Sequence, residues 1–228
     1  MSENKPYPSS EGSNHLSAPL EAAPAKGRLL AFEGLDGAGK STQAARLSAW
    51  LEERGRPRPL VLREPTYGPF GKLLRENARK GRDYASEMEL LLKDRAQDVL
   101  ENISPALAQG RTVIIDRYIL SNAAYQGALP GGDPKAILAA NSAFPWPDLT
   151  IILEVEVAEG LSRIGRRGET EEAFENAPYL SKVKEIYDRL SLPGVARLSS
   201  QAPPDEVFEA ISKLAENLFS APPLHPPA

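Results

Sequence analysis

Residues Gly34-Leu35-Asp36-Gly37-Ala38-Gly39-Lys40-Ser41 fit the pattern GxxxxGK[ST] in full. Glycines at these positions let the backbone wrap a phosphate with its N–H groups turned inward. A helix that starts at once behind the loop adds positive potential at its N-terminus. In this pattern Lys40 reaches the β- and γ-phosphates of a nucleotide, and Ser41, followed by Thr42, offers a hydroxyl to Mg²⁺. Further along, Thr112-Val-Ile-Ile-Asp116 is an apolar run closed by a carboxylate, which suits either a metal-holding aspartate or a helix cap. Arg117 follows directly and is placed to grip a second phosphate. Arg63-Glu64-Pro65-Thr66 forms a polar, Pro-stiffened loop that reads as the wall of an acceptor site. Arg163, Arg166 and Arg167 cluster in SRIGRRGE (162–169). They read as a basic flap that closes over transferring phosphates, or as a solvated charge run at a helix end.

These groups are useful only if the chain brings them together. Apolar runs at 28–33, 59–62, 112–116, 150–155 and 195–200 read as five buried strands. Amphipathic stretches at about 41–54, 70–79, 84–109, 134–143, 157–164, 178–191 and 204–219 read as helices between or after them. Pro105, inside the third, either kinks one long helix or opens a new turn capped by Ser104. Such alternation predicts a doubly wound α/β sandwich, and with the Gly34–Ser41 pattern the expected fold is a P-loop NTPase three-layer sandwich with a five-stranded parallel sheet flanked by helices. Ligands in such folds sit at the carboxyl ends of the strands, where each motif above falls.

Composition narrows the chemistry. The 228 residues, 41% hydrophobic and 25% charged, suit one globular domain, expected over 27–220. There is no cysteine, and the two histidines, His15 and His225, lie near the ends. Thiol nucleophiles, cysteine-rich zinc sites and a histidine base are therefore excluded from the core chemistry. A net charge of −4 disfavours a nucleic-acid-binding surface. No apolar stretch reaches the roughly 20 residues of a membrane helix. The first residues lack a secretory apolar core, which leaves the cytoplasm as the default location. Residues 1–26 and 221–228 hold eight of the 21 prolines and read as disordered tails, or else as short partner-binding motifs.

Taken together, FEGLDGAGKST (32–42), REPT (63–66), DRYILSNAAYQG (116–127) and PDLTIILEV (147–155) with RIGRRGE (163–169) resemble the thymidylate kinase family, within the nucleoside monophosphate kinases. The resemblance runs through most of 28–215. It implies ATP as co-substrate, Mg²⁺ held by Ser41 and Asp116, and dTMP as acceptor. It implies that Asp36 contacts the acceptor's 3′-hydroxyl and that Arg117 binds its phosphate. Ser121 and Asn122 match positions near the thymine ring, with Gln126 in the same motif. Tyr125 matches the residue under the deoxyribose, and Arg95 one that reads a thymine carbonyl. The Arg-rich segment matches the LID, which supplies the catalytic arginine when the P-loop carries a small residue such as Ala38. It further implies a homodimer packed through helices near 84–109 and 116–127. Two positions depart from the pattern. Leu91 stands where a phenylalanine commonly stacks on the base, leaving Phe70 or Tyr67 to replace it or selectivity to loosen. Glu154 stands where an aspartate is common.

The expected reaction moves the γ-phosphoryl of ATP to the 5′-phosphate of dTMP. No protein base is needed, because the attacking oxygen is already anionic. Two other readings remain: a kinase for another nucleoside monophosphate such as dUMP, and a non-catalytic P-loop module that binds a nucleotide and regulates a partner.

Overall fold

The computed structural model describes residues 27–78, 81–166 and 177–220. The two tails and Arg167 lie outside these described residues. Five strands, β1 (Leu29–Glu33), β2 (Leu60–Arg63), β3 (Val113–Asp116), β4 (Leu149–Glu154) and β5 (Val195–Ser199), form one sheet in the order β2-β3-β1-β4-β5. Every pairing is parallel. The sheet is flanked by α1 (Lys40–Glu53), α2 (Pro69–Ala78), α3 (Tyr84–Asp98), α4 (Ser104–Ala108), α5 (Ile119–Tyr125), α6 (Pro134–Ala140), α7 (Val157–Arg166), α8 (Ala177–Arg189) and α9 (Pro204–Ser220).

Residues of β1 alternate between two cores, as a strand covered on both faces must. Leu30 and Phe32 join a cluster with Leu47 and Leu51 of α1, Val183 of α8 and Ile211 of α9. Leu29 and Ala31 join Val113 and Ile115 of β3, Ile103, Ala106 and Ile119 in the other. Register matters more for function. Phe32 and Arg63 both pair with Asp116, so β1, β2 and β3 end at one level.

The long helix read over 84–109 is divided. Asp83 caps α3 by accepting the Ser86 N–H, and α3 runs to Asp98. A π-helical turn (Val99–Ile103) follows, then α4 with Pro105 in its first turn. Proline has no N–H to give residue 101, and the ladder there slips so that the Ser104 N–H donates to the Val99 carbonyl. Ser104 makes no side-chain cap. Helix α5 is the element that apolar periodicity alone does not assign. All seven of its residues are buried, so it shows no polar face.

Leu47 is fully buried between α1 and the sheet. Leu47→Ala should cost about 2–5 kcal/mol of stability, read as a lower urea midpoint with an unchanged slope.

Candidate active site

The P-loop crosses from β1 to α1. Gly34, Gly37 and Gly39 all have positive φ, at 128°, 80° and 91°. At Gly34 close approach adds to this, since a Cβ would lie 2.3 Å from the Leu153 carbonyl oxygen of β4. Gly39 takes the N-cap of α1 with no side-chain cap, leaving the first amides of the helix for a ligand.

Lys40 is buried and its ammonium donates to the carbonyls of Gly34 (3.1 Å) and Leu35 (2.8 Å). It lies 3.9 Å from the Asp36 carboxylate. Asp36 also accepts from the Arg117 guanidinium, which donates to the Tyr125 hydroxyl at 3.1 Å and sits 4.5 Å above that ring. Burial alone would raise Asp36, but the Arg117 and Lys40 charges outweigh it and hold its carboxyl down at about 2. Burial, with Arg117 close by, pushes Lys40 down to about 8. Ser41 donates its hydroxyl to one oxygen of Asp116. The other oxygen, Asp116 Oδ1, is buried without a partner among the described residues. These groups, with Arg63 and Ile164, line a cleft of about 290 Å³.

An orphaned carboxylate oxygen beside a hydroxyl is a fitting place for Mg²⁺. That ion prefers oxygen ligands and takes only one or two from protein, the rest coming from phosphates and water. Among the described residues no cluster of three or more acidic or histidine ligands exists.

On the other side of the P-loop lies a second cleft, of about 390 Å³, lined by Gly37, Ala38, Gly39, Thr42, Arg163, Arg166, Ser200, Ala202, Pro204 and Val207 among others. Sequence reading left out Ser200, Ala202 and Pro204, although they directly follow β5 at its carboxyl end, where the rule for such sheets places ligands. Arg163 is tied down there. It donates to Glu159 (2.7 Å), to the Ser200 carbonyl (3.0 Å) and to the Gly37 carbonyl (3.4 Å). Arg166 is looser, with a side chain 67% exposed and bonded to Glu159 at 3.2 Å.

The residues expected from the sequence to meet the acceptor gather in a buried polar layer. Arg95 is 1% exposed, paired with Glu64, and donates to Asn141 and to Asn122 (3.4 Å). The rings of Tyr118 and Phe144 lie against its guanidinium at 4.8 and 5.9 Å. Burial pushes Glu64 up to about 7, against the pull of Arg95. Asn122 also donates to Gln126 (3.1 Å), and Gln126 to Glu87 (2.9 Å). Asn141 donates to Asn122 at 2.9 Å. Ser121 is buried against Glu33 and Tyr187. The Pro65–Thr66 turn is fixed by Asp94, which accepts from the Thr66 N–H (2.7 Å) and hydroxyl (2.6 Å), and by Arg75, which donates to the Pro65 and Thr66 carbonyls. Leu91 is buried, whereas Tyr67 is 85% exposed and packs on Arg75. Glu154, the other departure, pairs with Arg197 at 2.9 Å, and that arginine also caps the Leu190 carbonyl. Its role is to tie β4 to β5 and α8. Sequence reading missed Glu33, Asp94, Asn141 and Tyr187, because the partners that give each its place lie far away in the chain.

Because the ammonium is the form that attracts phosphate, raising pH through about 8 should weaken ADP binding. The loss approaches about tenfold per pH unit above that point. Calorimetric titration would show it, and Lys40→Arg should flatten the profile over the same range.

Comparisons with known proteins point to one family. A family model described as thymidylate kinase matches residues 32–211. Thymidylate kinase of Xanthomonas campestris pv. campestris (strain B100) is 42% identical over 198 residues, covering 84% of this chain and 86% of that protein. The Akkermansia muciniphila thymidylate kinase is 43% identical over 196 residues, 85% of this chain and 94% of that one. A solved thymidylate kinase from Candida albicans, described as having broad substrate specificity, superposes with a TM-score of 0.69 at 25% identity, over 84% of this chain and 92% of that one. With that family model matched over 32–211 and relatives 42–43% identical over most of the chain, the chain belongs to the thymidylate kinase family.

Proposed function

We propose that the chain transfers the γ-phosphoryl of ATP to the 5′-phosphate of dTMP, giving ADP and dTDP, with 27–220 as the catalytic domain. The observation that supports this most is the convergence of Lys40 and Arg117 on Asp36 at one cleft. One cation serves the donor phosphates and the other the acceptor phosphate. A regulatory module that only bound ATP would have no use for the second.

Phosphoryl transfer passes through a loose transition state, so the protein's task is to align two phosphates and neutralise charge. The P-loop amides from Gly34 to Thr42 hold the donor, and Lys40 stabilises the transferring group. Ser41 and Asp116 would hold Mg²⁺, which neutralises charge on the β- and γ-oxygens when bound. Arg117 takes the acceptor phosphate, and Asp36, released from it, meets the sugar hydroxyl. Tyr125 packs under the sugar. Arg63, Glu64 and Pro65 wall the acceptor side, and Arg95, Ser121, Asn122 and Gln126 form the base end. Arg163 is anchored to the P-loop and to Ser200, which suits holding the donor. Arg166 and Arg167 are the candidates for contact with the transferring phosphoryl.

Two further parts of this reading concern assembly and place. Homodimer formation through α3 and the turn after it would cover Leu100, which is 74% exposed there. No described helix is long and apolar enough to cross a membrane, and we assign the chain to the cytoplasm. Leu91 gives a second acceptor reading its one support: without an aromatic ring at that position, dUMP becomes a competing substrate.

ADP release with Mg-ATP and each of dTMP, dUMP, dCMP, dGMP and UMP tests the assignment. Turnover with dTMP should exceed the others, and equal efficiency with UMP or dCMP would refute it. Lys40→Ala should leave less than a tenth of the activity in a folded protein, since electrostatic contacts to a transferring phosphoryl carry a factor of about 10² or more. Arg163→Ala should raise KM for ATP more than it lowers kcat. Removing the transferring-group arginine, 166 or 167, should instead lower kcat by about 10²–10³.

A further inference from the structure

We propose that Glu33 is a positioning residue for Arg117: its buried carboxylate holds the backbone turn that aims the guanidinium at the acceptor phosphate. The inference rests on the reading of Arg117 as the acceptor-phosphate ligand.

Glu33 is the last residue of β1, directly before Gly34, and is fully buried. Among the described residues its direct partners are two backbone amides and two hydroxyls. Oε1 accepts the N–H groups of Tyr118 (3.1 Å) and Leu120 (3.0 Å). Oε2 accepts the Ser121 hydroxyl and, at 3.3 Å, the Tyr187 hydroxyl. Ser121 and Tyr187 also bond to each other at 2.9 Å. These partners follow Arg117 in the chain or pack over its helix. Arg117 itself has φ of 68°, the only positive φ outside glycine among the described residues. A side chain in that region persists only where its surroundings force it. Here the surroundings are identifiable. The Arg117 N–H donates to the Phe32 carbonyl at 2.9 Å, and the next amides donate to the neighbouring Glu33. The turn after β3 is thus pinned to the strand end that launches the P-loop.

Burying a carboxylate is costly, and burial here raises its pKa. A neutral side chain would serve a purely packed interior at lower cost. What the carboxylate supplies is two acceptor oxygens that reach four donors at once. Among the described residues Tyr118, at the N-cap position of α5, offers no side-chain bond, so Glu33 is what receives the Tyr118 and Leu120 amides. Without Glu33 those amides are orphaned, and Arg117 can relax toward negative φ, which swings its side chain off the cleft.

The test measures Kd for dTMP and for ADP by calorimetry, with melting temperature, on the full chain and its variants Glu33→Gln, Tyr187→Phe, Arg117→Ala and both doubles with Arg117→Ala. Glu33→Gln should weaken dTMP by about tenfold or more while ADP changes by less than about twofold. In the Arg117→Ala background the same change should add less than about twofold, because residues acting through one group are not additive. Tyr187→Phe, which deletes one hydroxyl, should show the same pattern in smaller measure and keeps the question answerable if Glu33→Gln does not fold. A purely structural glutamate would lower the melting temperature, weaken both ligands alike and add in full to Arg117→Ala; any of these last two results overturns the proposal. If Arg117→Ala leaves dTMP affinity unchanged, the acceptor-phosphate reading fails first and the proposal falls with it.

Discussion

Two cations share one carboxylate where three strands end, and the rest of the structure answers to that constraint. Lys40 and Arg117 both approach Asp36, deep enough that burial pushes the lysine down to about 8. Buried charges are tolerable only when paired and hydrogen-bonded. Lys40 therefore leans on two P-loop carbonyls, and Arg117 on Tyr125. In the proposed reaction, phosphates would replace Asp36 as the counter-charge for both. The site is thus charged and preformed before any ligand arrives, which spares reorganisation at the moment of transfer.

Behind this cleft the same principle recurs in a quieter form. Glu64 and Arg95 are buried together, with Asn122 and Asn141 satisfying the remaining donors. Asp94 spends both oxygens on the Thr66 turn and the Gly71 amide. Each of these side chains holds backbone or another side chain in place, and none lies on the surface. The layer is therefore rigid, and the arginines in front of it inherit that rigidity. The second cleft differs: Arg166, which lines it, is exposed and bonds to Glu159 of its own helix.

Much of this was legible in the residues themselves. Gly34 to Ser41 announces a phosphate site because only glycines at those spacings allow the wrap, and the strand before and helix after were visible as apolar runs. The five strands and seven of the helices followed from periodicity. Helix α5 did not, because a helix buried all round has no amphipathic signal. The π turn before Pro105 did not, because proline forbids a bond without saying how the ladder will reroute.

What the sequence determined alone was therefore local: which loop carries the GxxxxGK[ST] pattern, which carboxylate and arginine follow a strand, and which apolar runs form the buried strands. Tertiary structure decided the pairings between distant positions. Asp36 meets Arg117, 81 residues away, and Glu33 meets Leu120, 87 away, because parallel strands bring their carboxyl ends level. No spacing rule encodes such contacts. They arise from sheet order and register, which are set by burying two apolar faces at once.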